Sequence, residues 1–171
     1  MNPRKAGAEL QEAVPAASST TPHRARTIAG HTHFRKTENM RVAELLLRGA
    51  GGEPVDFART IVSHGVAELP PNRVELAART LETTLPVPRG ARTVSITASA
   101  RRLHVEAVAG TVGAQAREAL TKTVAHMFRL DEDLSRFYTL VGEKGDLSWC
   151  AAGAGRMLRA PTVFEDVVKT I

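Results

Sequence analysis

The stretch TVSITASARRLHVEA, residues 93–107, decides the fold class of this chain. Apolar and polar residues alternate over residues 93–97 and again over residues 103–107. A period of two residues is typical of β-strands that bury one face. Arg101 and Arg102 lie between the two alternating runs, in a connection short enough for a hairpin. The stretch therefore predicts two antiparallel strands joined by a tight turn.

Weaker patterns on the N-terminal side extend the predicted sheet. Residues 75–85 alternate in part and lead into residues 86–90, which contain two prolines and a glycine. We therefore predict a strand over 75–85 followed by a turn. Residues 41–47 fit either a strand or a helical turn, and a short helix is expected over residues 58–62. Residues 41–111 are accordingly interpreted as a small antiparallel sheet with its accompanying helix.

The apolar period becomes helical from about residue 112. The side chains that recur on one helical face are Leu120, Val124, Met127 and Phe128. Residues 112–130 are therefore predicted to form a helix that completes or links this first domain. Asp131 is the expected N-cap of a following helix, and Cys150 is expected to be a small core residue in a short helix or turn after it.

The last segment carries an apolar stripe with helical spacing, made of Phe164, Val167, Val168 and Ile171. The helix is expected to begin with Pro161 as its first residue, or with Thr162 and Glu165 as a capping box. A helix this short is stable only when it is packed. We therefore expect the stripe to need a covering element, and we interpret the chain as truncated.

Composition and charge narrow the function classes. The net charge of +5 fits a polyanionic partner such as nucleic acid, and it fits an unspecialised basic surface equally well. The single cysteine cannot form an internal disulfide, and no apolar run approaches the ~18 residues of a membrane span. We therefore expect a cytoplasmic protein with no membrane contact.

Residues 1–40 lack a sustained apolar period and are predicted to be a disordered basic tail. Its histidines have no cysteine or carboxylate at ligand spacing, so no metal site is expected.

Three blocks carry a resemblance to a known family: DFARTIVSHG at residues 56–65, MFRLDEDLSRFY at residues 127–138 and GAGRMLRAPTVFEDVVKTI at residues 153–171. In this order they resemble the helix-hairpin-helix superfamily of DNA glycosylases, which includes 3-methyladenine DNA glycosylase II and 8-oxoguanine DNA glycosylase. The resemblance implies an α+β protein. A small antiparallel sheet domain with helices would be followed by the first helices of an all-helical glycosylase domain, which would occupy residues 131–171 as an incomplete start.

The resemblance also implies a reaction. Enzymes of this family flip a damaged nucleotide out of double-stranded DNA and cleave its N-glycosidic bond, with no small-molecule cofactor. The family's hairpin, its lysine position and its catalytic aspartate all follow the helix at residues 161–171, so no catalytic residue is expected within this chain. Lys169 is expected to be solvated, and Glu165 and Asp166 to be first-turn acids favoured by the helix dipole.

One loop is a candidate for substrate contact. In some family members the loop after the first short helix approaches the pocket for the damaged base, and Ser63, His64 and Gly65 occupy that place here. The oxidised-guanine enzymes carry Ser-Gly-Gln there, so the damaged base cannot be named from this loop. An ordinary helix end is the alternative interpretation of the same residues.

Three hypotheses follow. The chain is the N-terminal portion of a DNA glycosylase for alkylated or oxidised purines, monomeric and inactive alone. Alternatively, it is a non-catalytic DNA-binding module. In the third hypothesis it has no stable function, and the exposed stripe on its last helix causes aggregation.

Overall fold

The structure, a computed structural model, describes residues 39–63 and 68–171. Its five strands form one antiparallel sheet: β1 (Met40–Leu46), β2 (Arg73–Glu75), β3 (Thr80–Val87), β4 (Gly90–Ser99) and β5 (Arg102–Ala107). Their spatial order is β1-β5-β4-β3-β2. The α-helices are α1 (Phe57–Ile61), α2 (Ala114–Met127), α3 (Ser135–Gly142) and α4 (Val163–Thr170), and a 3-10 helix spans Ser148–Ala152. The α+β prediction is thereby confirmed.

The predicted hairpin over residues 93–107 is present as β4 and β5. Ile96 lies opposite Val105 in the antiparallel register, and both side chains are fully buried. Ser99 pairs with Arg102, which leaves a two-residue turn. Ala100 in this turn has a φ of 50°, the left-handed conformation that tight hairpin turns require. The alternation in the sequence thus reports which strand face is buried.

One sequence prediction in this region needs correction, and one open alternative is resolved. The strand predicted over 75–85 is wrong, because the chain reverses at residues 76–79 and two strands, β2 and β3, flank the turn. Leu76 lies in the turn with 49% of its surface exposed. This apolar residue extends the alternating pattern into a segment that is not a strand. Of the two alternatives left open for residues 41–47, the strand is the one observed: β1 spans Met40–Leu46 and pairs with β5.

The main core lies between one face of the sheet and helices α1 and α2. Leu120, Val124 and Met127 of α2 are buried against it, which confirms a helix within the predicted range 112–130, although α2 spans only Ala114–Met127. The ring of Phe57 in α1 stacks on that of Phe128, with centroids 5.5 Å apart. Burying one such side chain stabilises a fold by about 1.5–3 kcal/mol. These contacts fix α1 to the end of α2.

A second, smaller apolar cluster holds α3 to the 3-10 helix. Its buried members are Tyr138, Val141, Cys150 and Ala154, as expected for a core cysteine. The Tyr138 hydroxyl donates a hydrogen bond of 2.7 Å to the carbonyl oxygen of Ala154, and burial raises the pKa of Tyr138. The domain boundaries at residues 111 and 130 stay predictions. The tail predicted over 1–40 lies outside the described residues except for Asn39 and Met40, and Met40 already belongs to β1.

Helix α4 begins at Val163, directly after Thr162. Only the Thr162 half of the predicted capping box is present, because the Glu165 carboxylate accepts from Lys169. The Thr162 hydroxyl accepts a hydrogen bond from the Glu165 amide at 3.2 Å, so Thr162 is the N-cap and the alternative start at Pro161 is wrong. Glu165 and Asp166 lie in the first turn as predicted. Lys169 was expected to be solvated, but only 7% of its side chain is exposed, and its ammonium group pairs with Glu165.

The apolar stripe of α4 faces outward. Phe164 is 78% exposed, Val167 and Val168 are about half exposed, and Ile171 is fully exposed. The charged pair is therefore the better covered side of this helix, the reverse of the usual amphipathic arrangement.

Candidate nucleic-acid interface

The candidate substrate loop follows α1, and Asp56 sets where this helix begins. A carboxylate oxygen of Asp56 accepts a hydrogen bond from the Arg59 amide at 3.1 Å, so Asp56 is the N-cap. The Thr60 hydroxyl donates to the Asp56 carbonyl oxygen at 2.7 Å. The Ser63 amide then donates to the Thr60 carbonyl oxygen at 3.2 Å and continues the turn past the helix end.

Ser63 contacts a distant part of the chain. Its hydroxyl oxygen accepts a hydrogen bond of 2.7 Å from the backbone amide of Leu158. A serine hydroxyl is both donor and acceptor, and within residues 39–63 and 68–171 the Ser63 hydroxyl donates no hydrogen bond. His64 and Gly65 lie outside the described residues, so only Ser63 of the three candidate residues can be placed.

Residues 153–159 form a strap between α1 and the end of α2. At its start, the carbonyl oxygen of Gly153 accepts from the Asp56 amide at 3.0 Å. Near its end, Leu158 is bound to Ser63, and the Arg159 amide donates to the Met127 carbonyl oxygen at 2.9 Å. The strap therefore holds both ends of α1 and fixes where the candidate loop departs.

Arg156, in the middle of the strap, is buried and paired with Glu53. The relative exposure of the two side chains is 0% and 4%. Arg156 also donates to the carbonyl oxygen of Arg129, and Glu53 accepts from the Leu134 amide at 2.7 Å. This network connects the turn after β1, the loop after α2 and the strap. No local sequence pattern indicates it, because Glu53 and Arg156 are 103 residues apart.

The loop after α2 carries a second, partly exposed charge network. Both Arg129 and Arg159 pair with the carboxylate of Glu132. The hydrogen bond from Arg129 holds the pKa of Glu132 below its ordinary value. The Ala50 amide also donates to the Glu132 carbonyl oxygen at 3.1 Å. The N-cap predicted at Asp131 is wrong, because this loop runs on to Leu134 before α3 begins.

An exposed aromatic side chain lies beside α1. The guanidinium carbon of Arg59 lies 5.2 Å from the ring centroid of Trp149, which is 57% exposed. Arg59 also lies 3.6 Å from a carboxylate oxygen of Asp56. An arginine over an exposed indole is a cation–π arrangement of the kind that nucleic-acid-binding surfaces use for stacking. No local sequence pattern indicates this pair, because Arg59 and Trp149 lie in distant segments of the chain.

Two further features bear on the function class. Among residues 39–63 and 68–171, no group of three or more histidine, cysteine or carboxylate side chains could hold a metal ion. In the same part of the chain, no helix has the length and hydrophobicity needed to cross a bilayer.

Comparison with known proteins identifies the fold. No protein-family model matches the chain, and no curated protein matches it in sequence. Among solved structures, the chain is similar to the 3-methyladenine DNA glycosylase from Archaeoglobus fulgidus, with a TM-score of 0.55 and 19% sequence identity. The similarity covers 73% of this chain and 42% of that protein, so the chain spans less than half of the glycosylase it matches. The chain therefore has the fold of the matching part of a DNA glycosylase.

Proposed function

We propose that this chain is the N-terminal portion of a DNA glycosylase that removes alkylated or oxidised purines from duplex DNA in base-excision repair. The observation that carries the proposal is the backbone similarity to the archaeal 3-methyladenine DNA glycosylase. The resemblance of three sequence blocks to glycosylases, at residues 56–65, 127–138 and 153–171, also supports it. These blocks include α1, the loop after α2, the strap and α4.

We further propose that the chain alone does not excise bases. Cleavage of the N-glycosidic bond needs a carboxylate that faces the sugar and stabilises developing positive charge or activates water. The better covered carboxylates of Glu53, Glu132 and Glu165 are each paired with a basic side chain. They are therefore already neutralised by structural partners. The share of the glycosylase that this chain matches, 42%, supports the same interpretation.

In this proposal the loop at residues 63–65 approaches the damaged base, and Ser63 anchors the loop. The hydrogen bond from Leu158 to Ser63 ties the loop to the strap, so the start of the loop is held in place before DNA binds. In this proposal the Ser63 hydroxyl, which accepts from Leu158, donates its proton to a base or a phosphate, since a serine hydroxyl is both donor and acceptor.

Two assays on one set of duplexes test the proposal. Fluorescein-labelled duplexes that contain 8-oxoguanine, ethenoadenine or no lesion are titrated with the chain in an anisotropy assay, and the same mixtures are treated with alkali to reveal abasic sites. We expect binding at low salt and no strand cleavage. Robust cleavage would overturn the inactivity proposal, and a lack of binding at low salt would overturn the DNA-binding proposal.

The second candidate function is a DNA-binding module without a catalytic partner. The net charge of +5 favours it, because phosphate contacts do not depend on lesion chemistry. The same titration separates the two functions. A preference for a lesion-containing duplex supports the glycosylase assignment, whereas equal affinity for all duplexes supports the module.

A further inference from the structure

A cleft with arginine side chains at its border opens where β1 ends against the turn between β4 and β5. Its volume is about 310 Å³, and its lining residues are Leu47, Arg48, Pro54, Val55, Ala100 and Arg101. An adjoining cleft of about 240 Å³ shares Leu47 and both arginines and adds Leu46, which is 59% exposed. Arg48 and Arg101 are exposed and border both clefts.

The backbone that carries the two arginines is fixed. The amide of Leu47, next to Arg48, donates a hydrogen bond of 2.8 Å to the carbonyl oxygen of Arg101. Arg48 faces Pro54 in an antiparallel bridge, and the Gly49 amide closes the turn between them by donating to the Glu53 carbonyl oxygen at 2.9 Å. Because the two turns are held by backbone bonds, little backbone entropy is lost when a ligand binds there.

The charge around the cleft is unbalanced. Neighbouring Arg41 and Arg102 are each 2.6 Å from a carboxylate oxygen of Glu44. By contrast, within residues 39–63 and 68–171 neither Arg48 nor Arg101 forms an ion pair with a carboxylate, and no acidic residue of that part of the chain lines the cleft. The cleft thus combines two guanidinium groups with apolar walls.

We propose that this cleft binds the sugar–phosphate backbone of DNA, with Arg48 and Arg101 contacting phosphate oxygens. A planar guanidinium donates two parallel hydrogen bonds to a phosphate, and the apolar walls fit the carbons of the deoxyribose. Contacts of this kind position a protein on the duplex without reading its sequence. The inference rests on the proposed function, and it adds that the open end of the sheet is part of the DNA contact surface.

The test compares two doubly substituted variants of the full chain. The Arg48→Gln/Arg101→Gln variant removes both guanidinium groups of the cleft. The Arg79→Gln/Arg136→Gln variant removes the same charge from exposed arginines in the turn between β2 and β3 and on α3. Binding to an undamaged fluorescein-labelled duplex is measured by anisotropy at several salt concentrations between about 50 and 200 mM.

We expect the cleft variant to reduce the slope of log affinity against log salt by about 1.8, since each phosphate contact contributes roughly 0.9. The control variant should leave the slope within about 0.5 of the unsubstituted chain. If the unsubstituted chain does not bind, the proposed function itself fails. If it binds and the cleft variant keeps the slope, the cleft inference is wrong while the proposed function stands. Should the cleft variant lose its thermal transition, Arg101→Gln alone decides by the same criterion, with an expected reduction of about 0.9.

Discussion

Arg156 and Glu53 form an ion pair in which both side chains are almost completely removed from solvent. The pair joins the strap to the turn after β1, and the absence of a side chain at Gly49 makes room for it. A Cβ atom at residue 49 would lie 1.9 Å from a guanidinium nitrogen of Arg156 and 2.2 Å from a carboxylate oxygen of Glu53. A buried ion pair adds little net stability, but the loss of one partner leaves the other charge buried and unpaired.

Removing the Arg156 charge should therefore destabilise the fold strongly. We expect Arg156→Met to lower the free energy of unfolding by about 3–5 kcal/mol, measured by urea denaturation. The double variant Glu53→Gln/Arg156→Met should be more stable than Arg156→Met alone, because it leaves no unpaired charge. Arg136→Met is the matched control at an exposed position and should change stability by no more than about 0.5 kcal/mol. A cost below about 1 kcal/mol for Arg156→Met would contradict the buried pair.

Two glycines should respond oppositely to alanine. Gly153 has a φ of 106°, and a Cβ atom there would lie 2.7 Å from the backbone nitrogen of Asp56. Gly153→Ala should therefore lose at least about 1–3 kcal/mol of stability. Gly142 is the last residue of α3, and a Cβ atom there would meet no atom within 4 Å. Gly142→Ala should gain about 0.4–1 kcal/mol, because alanine lowers the entropy of the unfolded chain. Thermal melts of the two variants compare the effects directly, and equal shifts would contradict the tight contact between the strap and α1.

The sheet was predictable where a strand buries one full face. The hairpin of β4 and β5 follows from alternation alone, since Val94, Ile96, Leu103 and Val105 all face the core. The split between β2 and β3 was not predictable, because Leu76 extends the apolar pattern into an exposed turn. The helix α2 was predictable for the same reason as the hairpin, because its apolar stripe is buried on one face.

The contacts around the candidate loop could not be predicted from the sequence. Ser63 is 95 residues from the amide it binds, and Glu53 is 103 residues from Arg156. Helical and strand periods report only which side of a local element is buried. They carry no signal for a side chain that satisfies a backbone group in a remote segment. The resemblance to glycosylases indicated Ser63 as a residue of interest, but not its bond to the strap.

The stability of the fold should depend on pH through Glu132. Arg129 lowers the pKa of this carboxyl in the folded chain, so folding favours its charged form. The stabilisation is present above the ordinary glutamate pKa of about 4.3 and is lost as the pH falls through the lower folded value. We expect the urea concentration at the unfolding midpoint to decrease as the pH is lowered from about 5 to about 3. In the Glu132→Gln variant the midpoint should fall less steeply over this range, and identical slopes in the two proteins would show that the Arg129 contact has no energetic effect.

A substitution in the exposed apolar stripe of α4 distinguishes self-association of a folded chain from a failure to fold. Val167 is half exposed, so Val167→Lys should change the free energy of unfolding by no more than about 0.5 kcal/mol. The same substitution should reduce self-association in sedimentation velocity, because it interrupts a contiguous apolar surface. Leu120→Ala is the contrasting variant, since this side chain is fully buried under the sheet, and it should cost about 2–5 kcal/mol. A sharp urea transition that Leu120→Ala shifts and Val167→Lys leaves in place would contradict the hypothesis of a chain with no stable fold. Aggregation that persists unchanged in Val167→Lys would instead show that α4 is not the surface responsible.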